Sequence, residues 1–148
     1  MKYYVAAIFL SFLFAKQTMG EPAISAGFGY QYGGVLGTKY TIKNGQDSYF
    51  ASIGLVGVAA GYQRFLDDDA TKAFGIVLGT EVLTSEEGFA AITYNYYPQG
   101  YGNKGWGFGL SAGVRRTDSD PINISGLFGQ PAETDNKGLV GINFGYTF

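Results

Sequence analysis

The side chains available for chemistry here are carboxylates, a few cations and amides, because the chain has no histidine and no cysteine. Without histidine there is no ordinary base near neutral pH, no imidazole metal ligand and no Ser-His or Cys-His pair. Asp67-Asp68-Asp69 is the densest acidic run. It could hold a divalent cation, but it lacks the further oxygen ligands at fixed spacing that a dedicated loop supplies. A solvated turn is the favoured reading. The stretch "GWGFGLSA" (Gly105–Ala112) matches the loose G-x-G-x-x-A form of a dinucleotide fingerprint. No strand-turn-helix context follows it, so its glycines read as strand glycines. Asn123-Ile124-Ser125 is a glycosylation sequon in form only. No P-loop and no nucleophile elbow occurs. The reading therefore includes no catalytic residue, no metal and no cofactor, and expects a protein that is not an enzyme.

The elements that would position these residues alternate with period two almost throughout. Ala23–Tyr32 sets Ile24, Ala26, Phe28, Tyr30 and Tyr32 against Ser25, Gly27, Gly29 and Gln31. Val35–Lys43 sets Leu36, Thr38, Tyr40 and Ile42 against Gly37, Lys39, Thr41 and Lys43. Asn44-Gly45 is the strongest short turn signal. Ser48–Leu66 has no Pro, Asn or Asp to mark a turn, but nineteen residues exceed one strand. The spacing predicts a break near Val56-Gly57. Lys72–Leu83, Gly88–Tyr97, Gly105–Arg116 and Lys137–Phe148 complete eight strands, with a long polar loop at Thr117–Asn136.

Gly is 24 of 148 residues and aromatics are 17%. In each strand one face is large and apolar, and the other is mostly Gly, Ala, Ser and Thr. A water-soluble barrel would have to pack the large face inward and overfill a small interior. The inverse works: the large residues face lipid, and small and polar residues fill a narrow closed barrel. Closure satisfies every backbone group, as hydrocarbon requires. The fold expected is all-β, an eight-stranded antiparallel up-and-down transmembrane β-barrel. On this path Tyr40, Tyr49, Tyr62, Phe74, Tyr94, Tyr96 and Trp106 gather at the end where the chain starts and stops, as an interfacial girdle. Glu81 and Arg115 point inward near the other end, and Lys39 and Gln31 point inward too. Charges in a lumen should be paired, so these four are expected to form an interior polar network with a structural role.

Residues 1–20 read as a cleaved secretory signal peptide: Lys2 gives a positive start, an uncharged stretch runs from Tyr3 to Ala15, and small residues follow near Gly20. Residues 21–148 form the barrel domain. That domain has 148 − 20 = 128 residues, with 8 basic against 12 acidic side chains, a net of −4. The balance argues against a nucleic-acid partner. The final segment, GLVGINFGYTF, carries Ile142, Phe144, Tyr146 and Phe148 at alternate positions. It resembles the C-terminal strand of Gram-negative outer-membrane β-barrel proteins, and the whole barrel domain resembles the small barrels of the OmpA-domain and OmpX type.

The resemblance implies residence in the bacterial outer membrane as a monomer. Ile142, Phe144, Tyr146 and Phe148 would serve as the signal read by the barrel-assembly machinery. Outer-membrane lipids and lipopolysaccharide would be the partners, the latter reached through divalent ions by Glu86, Glu87, Asp118, Asp120, Glu133 and Asp135. Surface solubility is the favoured reading of those acids. The small barrels that remodel lipid A use histidine, and this chain has none. Three functions remain open from sequence. The first is a structural role or surface recognition through Gly126–Asp135. The second is a narrow porin-like conduit for small or hydrophobic solutes, as in OmpW-like barrels, using the space beside the inward glycines. The third, least favoured, is a soluble secreted barrel that binds a ligand.

Overall fold

A computed structural model of the chain describes residues 22–81, 86–118 and 134–148. Residues 1–20, the sequon and most of the long loop, including Gly126–Glu133, lie outside the described residues, as do the side chains of Glu81, Glu86, Glu87, Asp118 and Asp135. The rest is all-β. Eight strands run in order: β1 (Pro22–Gly29), β2 (Gly34–Asn44), β3 (Asp47–Gly54), β4 (Gly57–Phe65), β5 (Lys72–Glu81), β6 (Glu86–Tyr96), β7 (Gly105–Asp118) and β8 (Thr134–Thr147). Each pairs antiparallel with its neighbour in sequence, and β8 returns to β1, so the sheet closes into an eight-stranded barrel.

Turn chemistry explains the hairpins. Gly45 takes φ 62 between Asn44 and Asp47, which are paired; glycine enters that region without the penalty other residues meet. The expected break in Ser48–Leu66 falls at Leu55-Val56, between Gly54 and Gly57. At the β4–β5 turn the Asp67 carboxylate accepts hydrogen bonds from the backbone N–H of Thr71 and of Lys72, at 3.1 and 2.9 Å, and from the Thr71 hydroxyl. These bonds, led by the Thr71 hydroxyl, hold its pKa below the usual carboxylate value. The first Asp of the acidic run is thus a turn-former whose oxygens are taken.

Several strand ends differ from the sequence expectation. β6 starts earlier, β7 ends later and β8 starts earlier, so the two strands beside the long loop extend into it. The larger difference is in β1. It ends at Gly29, and Tyr30–Tyr32 form a 3-10 turn instead of continuing the strand. Gly29 at φ 105 and Gly33 at φ 73 allow the chain to leave the wall and come back. Tyr32, expected on the outer face, is 4% exposed.

The barrel faces are inverted relative to a water-soluble protein. Outside stand exposed Ile24, Leu36, Ile53, Phe74, Leu78, Ile92, Leu110, Val140 and Ile142. Inside lie Ser25, Lys39, Thr41, Ser48, Gln63, Thr93, Asn95, Ser111 and Asn143, all nearly inaccessible. The apolar interior is split in two. Phe65, Ala70, Ala73, Tyr97 and Tyr101 fill the end where β1 begins. Phe50, Ala59, Val77, Phe89, Ala91 and Leu139 form the other cluster, with Tyr30 against it.

Candidate functional site

The interior polar side chains are the place where function would have to reside if the lumen had one. Because strand residues alternate sides, each inward position belongs to one parity of its strand. Gln63 of β4, Asn95 of β6, Ser111 of β7 and Asn143 of β8 all hold inward places, and the 3-10 turn delivers Gln31 among them. The Gln31 side-chain amide donates to Asn95 Oδ1 at 2.7 Å, and its backbone N–H donates to Asn143 Oδ1 at 3.2 Å. Asn95 donates to Gln63 Oε1 at 3.2 Å, and the Tyr97 hydroxyl donates to the same oxygen at 3.2 Å. Asn143 donates to Ser111 Oγ at 2.5 Å. One continuous chain of amides and hydroxyls thus runs from β7 through β8 and the 3-10 turn to β6 and β4.

The network is uncharged. It offers no group that would take or give a proton near neutrality. Its effect is mechanical: buried amides must be satisfied, and here they tie distant strands together. Replacing Asn95 by Leu would leave the Gln31 side-chain amide without its acceptor and Gln63 Oε1 with the Tyr97 hydroxyl alone. Urea unfolding of the variant should show a loss of about 1–3 kcal/mol, and unchanged stability would mean that the network is idle.

Lys39 is 1% exposed. Its ammonium lies 4.8 Å from the centre of the Tyr32 ring and 5.2 Å from that of Phe50. Among the described residues it has no hydrogen-bond or ion-pair partner. Two ring faces supply negative potential beside it. Arg115 is partly buried on β7, opposite Phe89 and Lys137. The Glu81 side chain lies outside the described residues. Of the four residues expected to share a network, the structure places Gln31 in the amide chain, Lys39 against rings and Arg115 nearer the far end of the barrel. The amide partners Gln63, Asn95 and Asn143 were missed. Their parity marked them as inward, but their meeting depends on register between strands far apart in sequence.

The inward glycines are covered. A Cβ built on Gly107 would lie 2.8 Å from the Tyr97 ring, one on Gly141 would lie 2.6 Å from the Tyr30 ring, and one on Gly79 would lie 2.5 Å from the Phe89 ring. Gly145 lies under Tyr32, and Gly109 lies under Asn95. Each glycine is a seat for a side chain from another element. At the end where β1 begins, a recess of about 300 Å³ is bordered by Lys43, Gly45, Tyr101 and Phe148. Behind it stand Phe65, Tyr97 and Tyr101, with ring centres 4.8–6.1 Å apart.

On the outer face Tyr40, Tyr49, Phe74, Tyr94, Tyr96 and Trp106 are exposed and Tyr62 is partly so, all in the strand halves nearest that same end. Trp106 stacks on Phe144 at 4.8 Å and meets Tyr146 edge-on at 5.0 Å; Phe108 and Phe28 also touch Phe144. Tyr146 in turn meets Phe148 at 5.4 Å. Below them Tyr62 donates to Asp47 at 2.5 Å, and Arg64 lies 3.5 Å from the same carboxylate. Comparison with known proteins finds no matching family model, no matching curated protein and no matching solved structure.

Proposed function

We propose that the chain is a small integral outer-membrane β-barrel, non-enzymatic, whose role is structural or lies in surface recognition. The observation that carries this reading is the inversion of the barrel. Large apolar residues cover the outside, while amides, hydroxyls and one lysine are sealed within. Soluble monomers rarely expose contiguous apolar patches above a few hundred Å². A bilayer makes the same surface favourable, and the aromatic ring at one end fits an interface with lipid headgroups. Localisation in a bacterial outer membrane, assembly through the C-terminal strand and contact with lipopolysaccharide follow from the likeness of that strand and of the small barrel type.

Among the functions open to such a barrel, the packed interior supports the structural or recognition role over a conduit. Rings and amides occupy the space that glycines would otherwise leave free for a solute. Planar-bilayer recording of the refolded barrel domain tests this. Inserted protein should be silent at moderate voltage, and reproducible conductance steps would reverse the preference in favour of a conduit. The long loop between β7 and β8 is then the place to look for a binding partner.

A further inference from the structure

The outer wall is not uniform around the barrel. β3 and β4 set Asp47 opposite Arg64, Tyr49 opposite Tyr62, Ala51 opposite Ala60 and Ile53 opposite Val58. All eight stand on the outward face, because Ser48, Phe50, Ser52, Ala59 and Gln63 between them are buried and strand residues alternate sides. Followed from the end where β1 begins, this column passes from a charged pair to two phenols, then to two small side chains and two large apolar ones. Asp47 to Ile53 spans about 20 Å along the strand. With the tilt of such strands, that reaches about 15 Å in depth, half of a hydrocarbon core.

The charged pair keeps binding capacity. Asp47 accepts the Tyr62 hydroxyl and faces Arg64 with one and the same oxygen, Oδ1. Its Oδ2 has no partner among the described residues. The Arg64 guanidinium carries five N–H donors, and only its Nη1 faces Asp47. Both side chains stay open to the surroundings, Arg64 at 59% and Asp47 at 40%. A spare anionic oxygen and spare guanidinium donors therefore lie side by side, with no net charge. A headgroup carrying a phosphate and a primary ammonium is the complement: phosphate on Arg64, ammonium on Asp47 Oδ2. A headgroup with phosphate alone would set its charge against Asp47, and a quaternary ammonium has no hydrogen to donate. Beyond the phenols, Ala51 and Ala60 make a furrow. Tyr40 stands beside Ala51 and Leu78 beside Ala60, both large and exposed, so an acyl chain laid there meets a wall on each side. The Tyr49 hydroxyl, with no hydrogen-bond partner among the described residues, stands between the charged row and the furrow, where an acyl ester would lie.

We propose that the β3–β4 column is a binding site for one phospholipid with an ammonium-bearing headgroup, in the leaflet at the end where β1 begins. The headgroup sits on Asp47 and Arg64, and an acyl chain lies in the Ala51–Ala60 furrow. The proposal rests on the membrane reading and gives that face of the barrel a specific partner within it.

Native mass spectrometry of the refolded chain in detergent, titrated with one lipid at a time, reads the site. Phosphatidylethanolamine should be retained as an adduct at about tenfold lower concentration than phosphatidylcholine or phosphatidylglycerol, the worth of one hydrogen bond to a charged group. Asp47→Asn should bring phosphatidylethanolamine level with phosphatidylcholine. Ala60→Phe fills the furrow and leaves the charged pair in place, so it should weaken retention of all three lipids. The site is wrong, while the membrane reading stands, if a chain that inserts into vesicles retains the three lipids equally or prefers phosphatidylglycerol. It is equally wrong if Asp47→Asn keeps the preference. If the folded chain stays in the aqueous phase without detergent, both readings fall together.

Discussion

Replacing Leu78 by arginine should lower the stability of the vesicle-folded barrel by about 2–4 kcal/mol. Leu78 stands on the outer face of β5, 57% exposed, between Ala60 of β4 and Ala90 of β6. It lies four residues beyond Phe74 of the aromatic ring and three short of the described end of its strand. In water the same replacement would touch nothing and would change stability by no more than about 0.5 kcal/mol. The large value arises only if hydrocarbon surrounds the position. Leu66→Arg supplies the contrast: Leu66 is 60% exposed but sits in the β4–β5 turn, where an arginine reaches headgroups and water and should cost about 0–1 kcal/mol. Urea titration of both variants in vesicles reads the difference, and equal losses would remove the argument from depth.

The second large effect is expected inside. Gly107→Leu should destabilise the barrel by about 3 kcal/mol, combining overpacking with the loss of a buried hydrogen bond. The only side chain crowding a Cβ at Gly107 is Tyr97. A leucine there displaces the ring, and the ring takes its hydroxyl away from Gln63. The coupling is testable by a double-mutant cycle. Tyr97→Ala leaves a cavity above Gly107, so Gly107→Leu in that background should cost far less than it does alone. Additive losses would show that Tyr97 does not occupy the glycine's space.

Both expectations depend on which residues face which way, and that was largely legible in the sequence. The period of two, Asn44-Gly45 and the length of Ser48–Leu66 were enough for eight strands and for a break near Val56-Gly57, one residue from the turn at Leu55-Val56. Face assignment followed from the contrast between large and small residues on alternate positions, as in Trp106, Phe108 and Leu110 against Gly107 and Gly109. The interior was less legible. Tyr30 and Tyr32 continue the alternation of β1 in sequence, so nothing local distinguishes them from outward strand residues. Only Gly29 and Gly33, whose positive φ values release the chain from the wall, signal the departure.

Tyr101 lies in what reads as an ordinary loop, yet it is 5% exposed and packs against Phe65 and Tyr97. Which glycine seats which ring is set by pairings between residues tens of positions apart, and no local pattern encodes them. The polar network shows the same limit. Sequence placed Gln31 and Lys39 inside from parity, but no local pattern brings the faces of Tyr32 and Phe50 to the lysine.

The central claim is that the apolar outer face meets lipid, and Trp106 reports on it directly. It is the only tryptophan in the chain, stands on the outer face 48% exposed, and lies within the aromatic ring. The measurement is quenching of its fluorescence by lipids brominated at different depths along the acyl chain, after refolding into vesicles. Emission should shift to the blue, and quenching should be strongest for bromines near the headgroup and weaker for those near the bilayer centre. A folded barrel whose tryptophan no bromolipid quenches, while a water-soluble quencher reaches it freely, would contradict the account.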